Sequence, residues 1–239
     1  MNNRLYHLVS WGLDELVWGG DLIGVENLPE HGPAVFVSNH LGALGPIAVG
    51  ASVPLRFHFW IHADMLDARL APDYLRRDFV ERQLHLSEPV SGWLAAIISR
   101  IHVPLLSALG GIPVYHTPGG HLKTFQLSLD VLEAGGCILI FPESPELPLD
   151  ERYKMAPFIK GFARLGEMYF ERTKKVLPFY PLMVHAESLT VQVGKPSRYS
   201  PLSNPARERA RIVNLLECAI HEMYLQASNG KIVQLPLPN

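Results

Sequence analysis

Short continuous apolar runs alternate with longer stretches of helical spacing along most of the chain. AVFVS at 34–38 precedes a helical stretch at 44–51, and LRFHFWI at 55–61 precedes a long mixed region. GGIPVY at 110–115 precedes 121–134, and CILIF at 137–141 precedes 157–172. Runs that are apolar on both faces suit strands covered on both sides. The alternation therefore predicts a single α/β domain with a largely parallel central sheet flanked by helices. KVLPFYPLMV at 175–184 and SLTVQVG at 188–194 read as a closing pair of strands. Asn204 with Pro205 marks the start of a last helix, whose buried face is predicted to carry Ile212, Leu215, Leu216, Ala219, Ile220 and Met223.

Ahead of the domain, assigned to residues 23–239, residues 1–22 read as an amphipathic helix. Leu5, Leu8, Val9, Leu16 and Val17 recur at helical spacing with Trp11 and Trp18 beside them. Two readings fit this segment: a face that enters a membrane interface, or a terminal helix that closes the core. The charged, proline-punctuated stretch 64–89 is expected to be an irregular insertion. The apolar stretch at 91–111, interrupted by Pro104, is expected to be buried core, the sharper alternative being the wall of an acyl-chain tunnel or a membrane-dipping turn. The uncharged stretch 34–55 has the length of a membrane span but holds Asn39, His40, glycines and prolines, so no crossing helix is expected there.

Composition narrows the function classes. A net charge of −2 over 239 residues, with dispersed Lys and Arg, gives no field for nucleic acid. Two cysteines, Cys137 and Cys218, both in core-like settings, make neither a disulfide framework nor a metal cluster and favour a reducing compartment. The first residues lack the apolar centre and cleavage site of a signal peptide, so retention is expected. PGGHLKT at 118–124 lacks the ending of a phosphate loop, and no G-x-S-x-G elbow occurs. His58 with His62 and His116 with His121 show no metal-ligand spacing.

Four stretches in order carry more than any of them alone: SNHLGALGP at 38–46, GGIPVYH at 110–116, IFPESPE at 140–146 followed by APFIKGFARLG at 156–166, and VLPFYPLMV at 176–184. Together they resemble the glycerolipid acyltransferase family, which includes the lysophosphatidate and glycerol-3-phosphate acyltransferases. That family carries N-H-x4-D, G-x-I-x-x-x-R, F-P-E-G-T-R with P-F-K-K-G after it, and an apolar V-P-V strand. The lead-in GVENLPEHGPAVFVSNH at 24–40 is of the same type.

The resemblance implies that His40 is general base to an acceptor that attacks an acyl thioester, with a carboxylate fixing the imidazole ring. It implies that Glu143 orders the pocket and that two arginines hold an acceptor phosphate. The chain keeps Asn39, His40, Pro46, Gly111, Ile112, Phe141, Pro142, Glu143, Pro157, Phe158, Lys160 and Gly161. It departs at the charges: Gly45 replaces the aspartate, His116 and Glu146 replace the arginines, and Ser144 replaces the glycine. With the usual acid missing, Glu146 is the first candidate to hold the His40 ring, Asp64 the second and Glu143 the third.

The expected catalytic residues are thus His40, Glu143 and Glu146, and the expected substrate-binding residues Asn39, His116, Ser144, Lys160 and Gly161. No metal or prosthetic group is expected. The implied activity moves a fatty acyl group from acyl-CoA or an acyl-carrier protein to a hydroxyl or amine of a lipid acceptor without phosphate. The alternative is a non-catalytic relative that binds acyl chains or membrane; a thioester hydrolase is a weaker third. The protein is expected in the cytoplasm, in peripheral contact with the inner face of a membrane through the first helix and residues 93–109, with no nucleic acid partner.

Overall fold

The computed structural model describes residues 18–117 and 119–230. Its strands are β1 Asp21–Ile23, β2 Ala34–Ser38, β3 Phe57–His62, β4 Ile112–Val114, β5 Cys137–Ile140, β6 Pro178–His185, β7 Thr190–Val193 and β8 Ser197–Arg198. The main helices are α1 Leu44–Ser52, α2 Ala71–Leu75, α3 Val90–Ala108, α4 Gly120–Glu133, α5 Arg164–Thr173 and α6 Pro205–Ser228. The fold class is the expected one, α/β with a mostly parallel sheet and flanking helices. Most of the segment expected as the first helix, 1–22, lies outside the described residues, and its last two residues, Asp21 and Leu22, belong to β1.

The chain packs as two compact units, one spanning His58–Ser128 and the other built from the stretches up to Phe57 and from Leu129 onward. In the second of these, strands lie in the order β1-β7-β6-β2-β5, with β8 on β6. Parallel pairs join β1 to β7, β2 to β5 and β2 to β6, while β6 and β7 run antiparallel as the closing pair. All five residues of β2 are buried, as its unbroken apolar run demands in the middle of a parallel sheet. Phe36 stacks on Tyr180 and meets Phe57 edge-on, filling the space beside the strand.

α1 packs against β6 and β7, and α6 lies along β6. The Asn204 side chain caps α6 by accepting from the Ala206 and Arg207 N–H groups, with Pro205 in the first turn. Its buried face differs from the sequence pattern: Leu215 is 44% exposed, and Glu208, Val213, Tyr224 and Ala227 are buried instead. Buried Glu208 is held by Arg211 and by the Ser200 N–H, which is why a carboxylate tolerates that position. Cys218 on the same helix is exposed, against expectation, while Cys137 is buried and its thiol pushed up to about 11 by burial.

The His58–Ser128 unit pairs β3 with β4 in parallel. Within 64–89, where an irregular insertion was expected, residues 71–83 are continuously helical. Pro72 sits in the first turn of α2, where its missing N–H costs nothing, and a π turn at Arg76–Val80 and a short helix at Glu81–Gln83 follow. Leu75 and Val80 pack with Ala95 of α3, and Arg76 pairs with Glu81 and Glu88, each at 3.1 Å.

α3 also differs from expectation. It runs unbroken through Pro104, and only its small residues Ser91, Ala95 and Ser99 are buried. Trp93 and Ile101 are each 69% exposed, with Ile97 and Leu105 on the same outward stripe. Among the described residues α3 is the one helix long and apolar enough to cross a bilayer, by length and composition.

Candidate active site

β2 and β5 are parallel neighbours in a register that pairs Val37 with Ile140, an offset of 103 residues along the chain. Carried three residues past each strand, the same offset brings His40 beside Glu143. In parallel sheets this carboxyl end of adjacent strands is where binding loops collect. The His40 N–H donates to Glu143 Oε1 at 2.5 Å, and the Ala156 N–H donates to Oε2 at 2.9 Å. One carboxylate therefore ties the loop after β2 to the strap that contains Ala156.

That strap is itself paired with the loop after β5. Glu143 and Phe158 form an antiparallel bridge; the Ser144 N–H donates to the Pro157 carbonyl at 3.0 Å and the Ile159 N–H to the Pro142 carbonyl at 2.8 Å. Glu217 of α6 accepts the Phe158 N–H at 2.9 Å. These bonds hold 157–159 extended, so the helix expected from 157 starts only at Arg164, after a 3-10 turn at Gly161–Ala163. Burial pushes the Glu143 carboxyl above the usual carboxylate range, opposed by the Ala156 and His40 N–H donors and the His40 charge.

Asn39 is buried at 0% exposure. Its Nδ2 donates to the Val184 carbonyl at 2.9 Å, and its Oδ1 accepts the Val184 N–H at 2.8 Å. Asn39 was expected among the substrate-binding residues, and here both polar atoms of its amide are engaged within the protein. Its amide is spent on the β6 backbone, where it fixes the end of β2 from which His40 projects.

The His40 side chain is exposed and meets the Phe141 ring edge-on, centroids 5.0 Å apart. Among the described residues no carboxylate hydrogen-bonds this ring. Glu143 serves the His40 backbone instead, and Glu146, the first candidate for the ring, stands exposed in the turn after Ser144. Asp64 belongs to the other unit, where its N–H bonds to His62 Nδ1 at 3.3 Å. The aspartate position is tight as well: a Cβ at Gly45 would lie 3.1 Å from the Asn39 carbonyl oxygen and 3.4 Å from the Phe141 ring.

Ser144 is half-buried beside Glu143, and Lys160 and Gly161 are exposed just beyond the strap. His116 lies in the His58–Ser128 unit, stacked on His62 with centroids 5.0 Å apart. Burial holds the His62 ring below the usual histidine range despite the Asp64 charge. No group of three or more His, Cys, Asp or Glu among the described residues could hold a metal ion. Sequence reasoning missed Ala156 and Glu217 as supports; one contributes only its backbone, and the other lies in a helix far along the chain with no motif around it.

No family model matches the chain, and no curated protein sequence matches it. A likeness does appear among solved structures, in the 1-acyl-sn-glycerophosphate (LPA) acyltransferase PlsC from Thermotoga maritima. The superposition has a TM-score of 0.56 at 12% identity and covers 92% of this chain and 80% of that one. The chain therefore shares the fold of an acyltransferase.

Proposed function

We propose that the chain transfers an acyl group from an acyl thioester to a hydroxyl or amine of a lipid acceptor that carries no phosphate. The meeting of His40 and Glu143 at the carboxyl ends of β2 and β5, in a fold shared with an LPA acyltransferase, carries this reading. The imidazole of His40 takes the acceptor proton as its oxygen or nitrogen attacks the thioester carbonyl. The tetrahedral intermediate then collapses, and the thiolate leaves with the proton returned by the imidazolium. Glu143 places the base through its backbone, and Phe141 limits the ring's tilt. His116 and Glu146 stand where the resembled family has arginines, so an acceptor phosphate beside Glu146 meets like charge.

A second reading, a non-catalytic protein of this fold, is favoured by the absence of a carboxylate on the ring among the described residues. A base with a free tautomer carries its proton on the wrong nitrogen part of the time. Incubating purified protein with labelled acyl thioester and a panel of neutral, cationic and phosphorylated lipid acceptors separates the two. Acyl transfer is expected to neutral or cationic acceptors. Best transfer to glycerol 3-phosphate or lysophosphatidate would overturn the acceptor assignment, and no transfer to any acceptor would leave the non-catalytic reading standing.

We place the protein in the cytoplasm, in peripheral contact with the inner face of a membrane. α3 supports this: Trp93, Ile97, Ile101 and Leu105 face outward, and the helix has a single charged residue, Arg100. Its inner face is tied down by the packing of Ala95 with Leu75 and Val80 and by a 3.0 Å bond from Ser91 to Glu81, so α3 lies along the surface rather than crossing it. The protein is expected to float with neutral phosphatidylcholine vesicles. Replacing both Trp93 and Ile101 by Glu removes about 3 kcal/mol or more of burial and should cut partitioning at least about a hundredfold. Flotation that is absent, or indifferent to the double substitution, would remove α3 from the membrane.

A further inference from the structure

Beyond the strap, Lys160, Gly161, Arg164, Glu167 and Arg209 line a hollow of about 570 Å³. Glu167 and Arg209 pair across it through Arg209 Nη1, and both side chains are mostly covered. The Lys160 and Arg164 side chains have no ion-pair or hydrogen-bond partner among the described residues. A Cβ at Gly161 would meet nothing within 4 Å, so the wall between the two cations is open main chain. In a protein of net charge −2, this spot holds an excess of two positive charges. Unpaired cations converging on a hollow suit a multiply charged anion better than a structural role, which would have placed carboxylates opposite them.

The hollow is tied to the site by the backbone. Lys160 follows Phe158 by two residues, Phe158 bridges Glu143, and Glu143 holds the His40 N–H. Of the two substrates in the proposed reaction, the acceptor is the one without phosphate. A donor carried on coenzyme A has a 3′-phosphate and a diphosphate, separated from its thioester by the long pantetheine arm. We propose that the Lys160, Arg164 and Arg209 hollow binds the 3′-phosphoadenosine diphosphate end of an acyl-CoA donor. The arm then runs along the strap and delivers the thioester to His40. The assignment rests on the acyl-transfer reading for its choice of ligand, and its charge geometry stands apart from any turnover.

The test is calorimetric titration of the full chain with coenzyme A, 3′-dephospho-CoA, pantetheine and a holo-carrier protein. Coenzyme A should bind more tightly than 3′-dephospho-CoA, and pantetheine least. In Lys160→Gln/Arg164→Gln, coenzyme A affinity should fall about ten- to a hundredfold, with pantetheine unchanged. Added salt should weaken coenzyme A binding more in the wild type than in the variant. Both replaced side chains are exposed, and an unchanged melting temperature checks that the variant is folded. Coenzyme A affinity unaffected by the double substitution, equal binding of pantetheine and coenzyme A, or binding of the carrier protein but not of coenzyme A would each overturn the assignment. If charge-dependent coenzyme A binding is found without transfer to any acceptor, the hollow stands and the acyl-transfer reading falls.

Discussion

His40→Ala is expected to lower acyl transfer by a factor of about 100 to 10,000, the usual loss when a positioned base is removed. The expectation is sharp because the substitution should leave the scaffold in place. The imidazole is exposed and touches Phe141 only by ring contact, while the bond that anchors the loop is made by the His40 main-chain N–H, which alanine retains. Thermal stability should therefore change by no more than about 0.5 kcal/mol, as for other surface substitutions. A large rate loss in a protein of unchanged melting temperature would belong to the chemistry. Added imidazole offers a second check, because the truncated side chain leaves open space at a solvent-facing site, and partial recovery of transfer would identify the missing group as a base. Turnover that is unchanged in the variant would remove His40 from the mechanism.

Much of the scaffold around this histidine was legible as pattern. β2 and β5 are unbroken apolar runs, and a parallel pairing of the two puts the residues after them together whatever the rest of the chain does. The supports of the site were much less legible. Asn39 looks like an active-site amide in sequence, and only the position of β6 shows that Val184 uses it. Residues 157–159 continue a helical apolar spacing, but their backbone groups are claimed by Ser144, Pro142 and Glu217 from elsewhere. α3 reads as core because its large residues are apolar; the structure buries its small residues and turns the large ones outward, a choice that periodicity alone does not register.

Glu143→Gln should lower stability by about 1 to 3 kcal/mol and slow transfer at least about tenfold, even though the shape of the side chain is kept. Each carboxylate oxygen of Glu143 accepts a different N–H, one from His40 and one from Ala156. Glutamine has one acceptor oxygen, and its NH2 must face the remaining donor. Of the two segments, the Ala156 strap keeps its bonds at Pro142, Ser144 and Glu217, so the His40 loop is the one expected to shift. A neutral glutamic acid differs from glutamine here, because both of its oxygens still accept while its proton turns away. That difference fixes the pH dependence. Burial raises the Glu143 carboxyl above its ordinary 4.5, so its contribution to stability is full below that value and declines as pH rises through the raised value. The stability deficit of Glu143→Gln, measured by urea unfolding, should therefore be largest in acid and should narrow toward neutral pH. A deficit that grows toward neutral pH would mean that the ionised carboxylate, and not its burial, dominates the site. Wild-type stability and rate in the variant would mean that Glu143 does not hold the His40 loop at all.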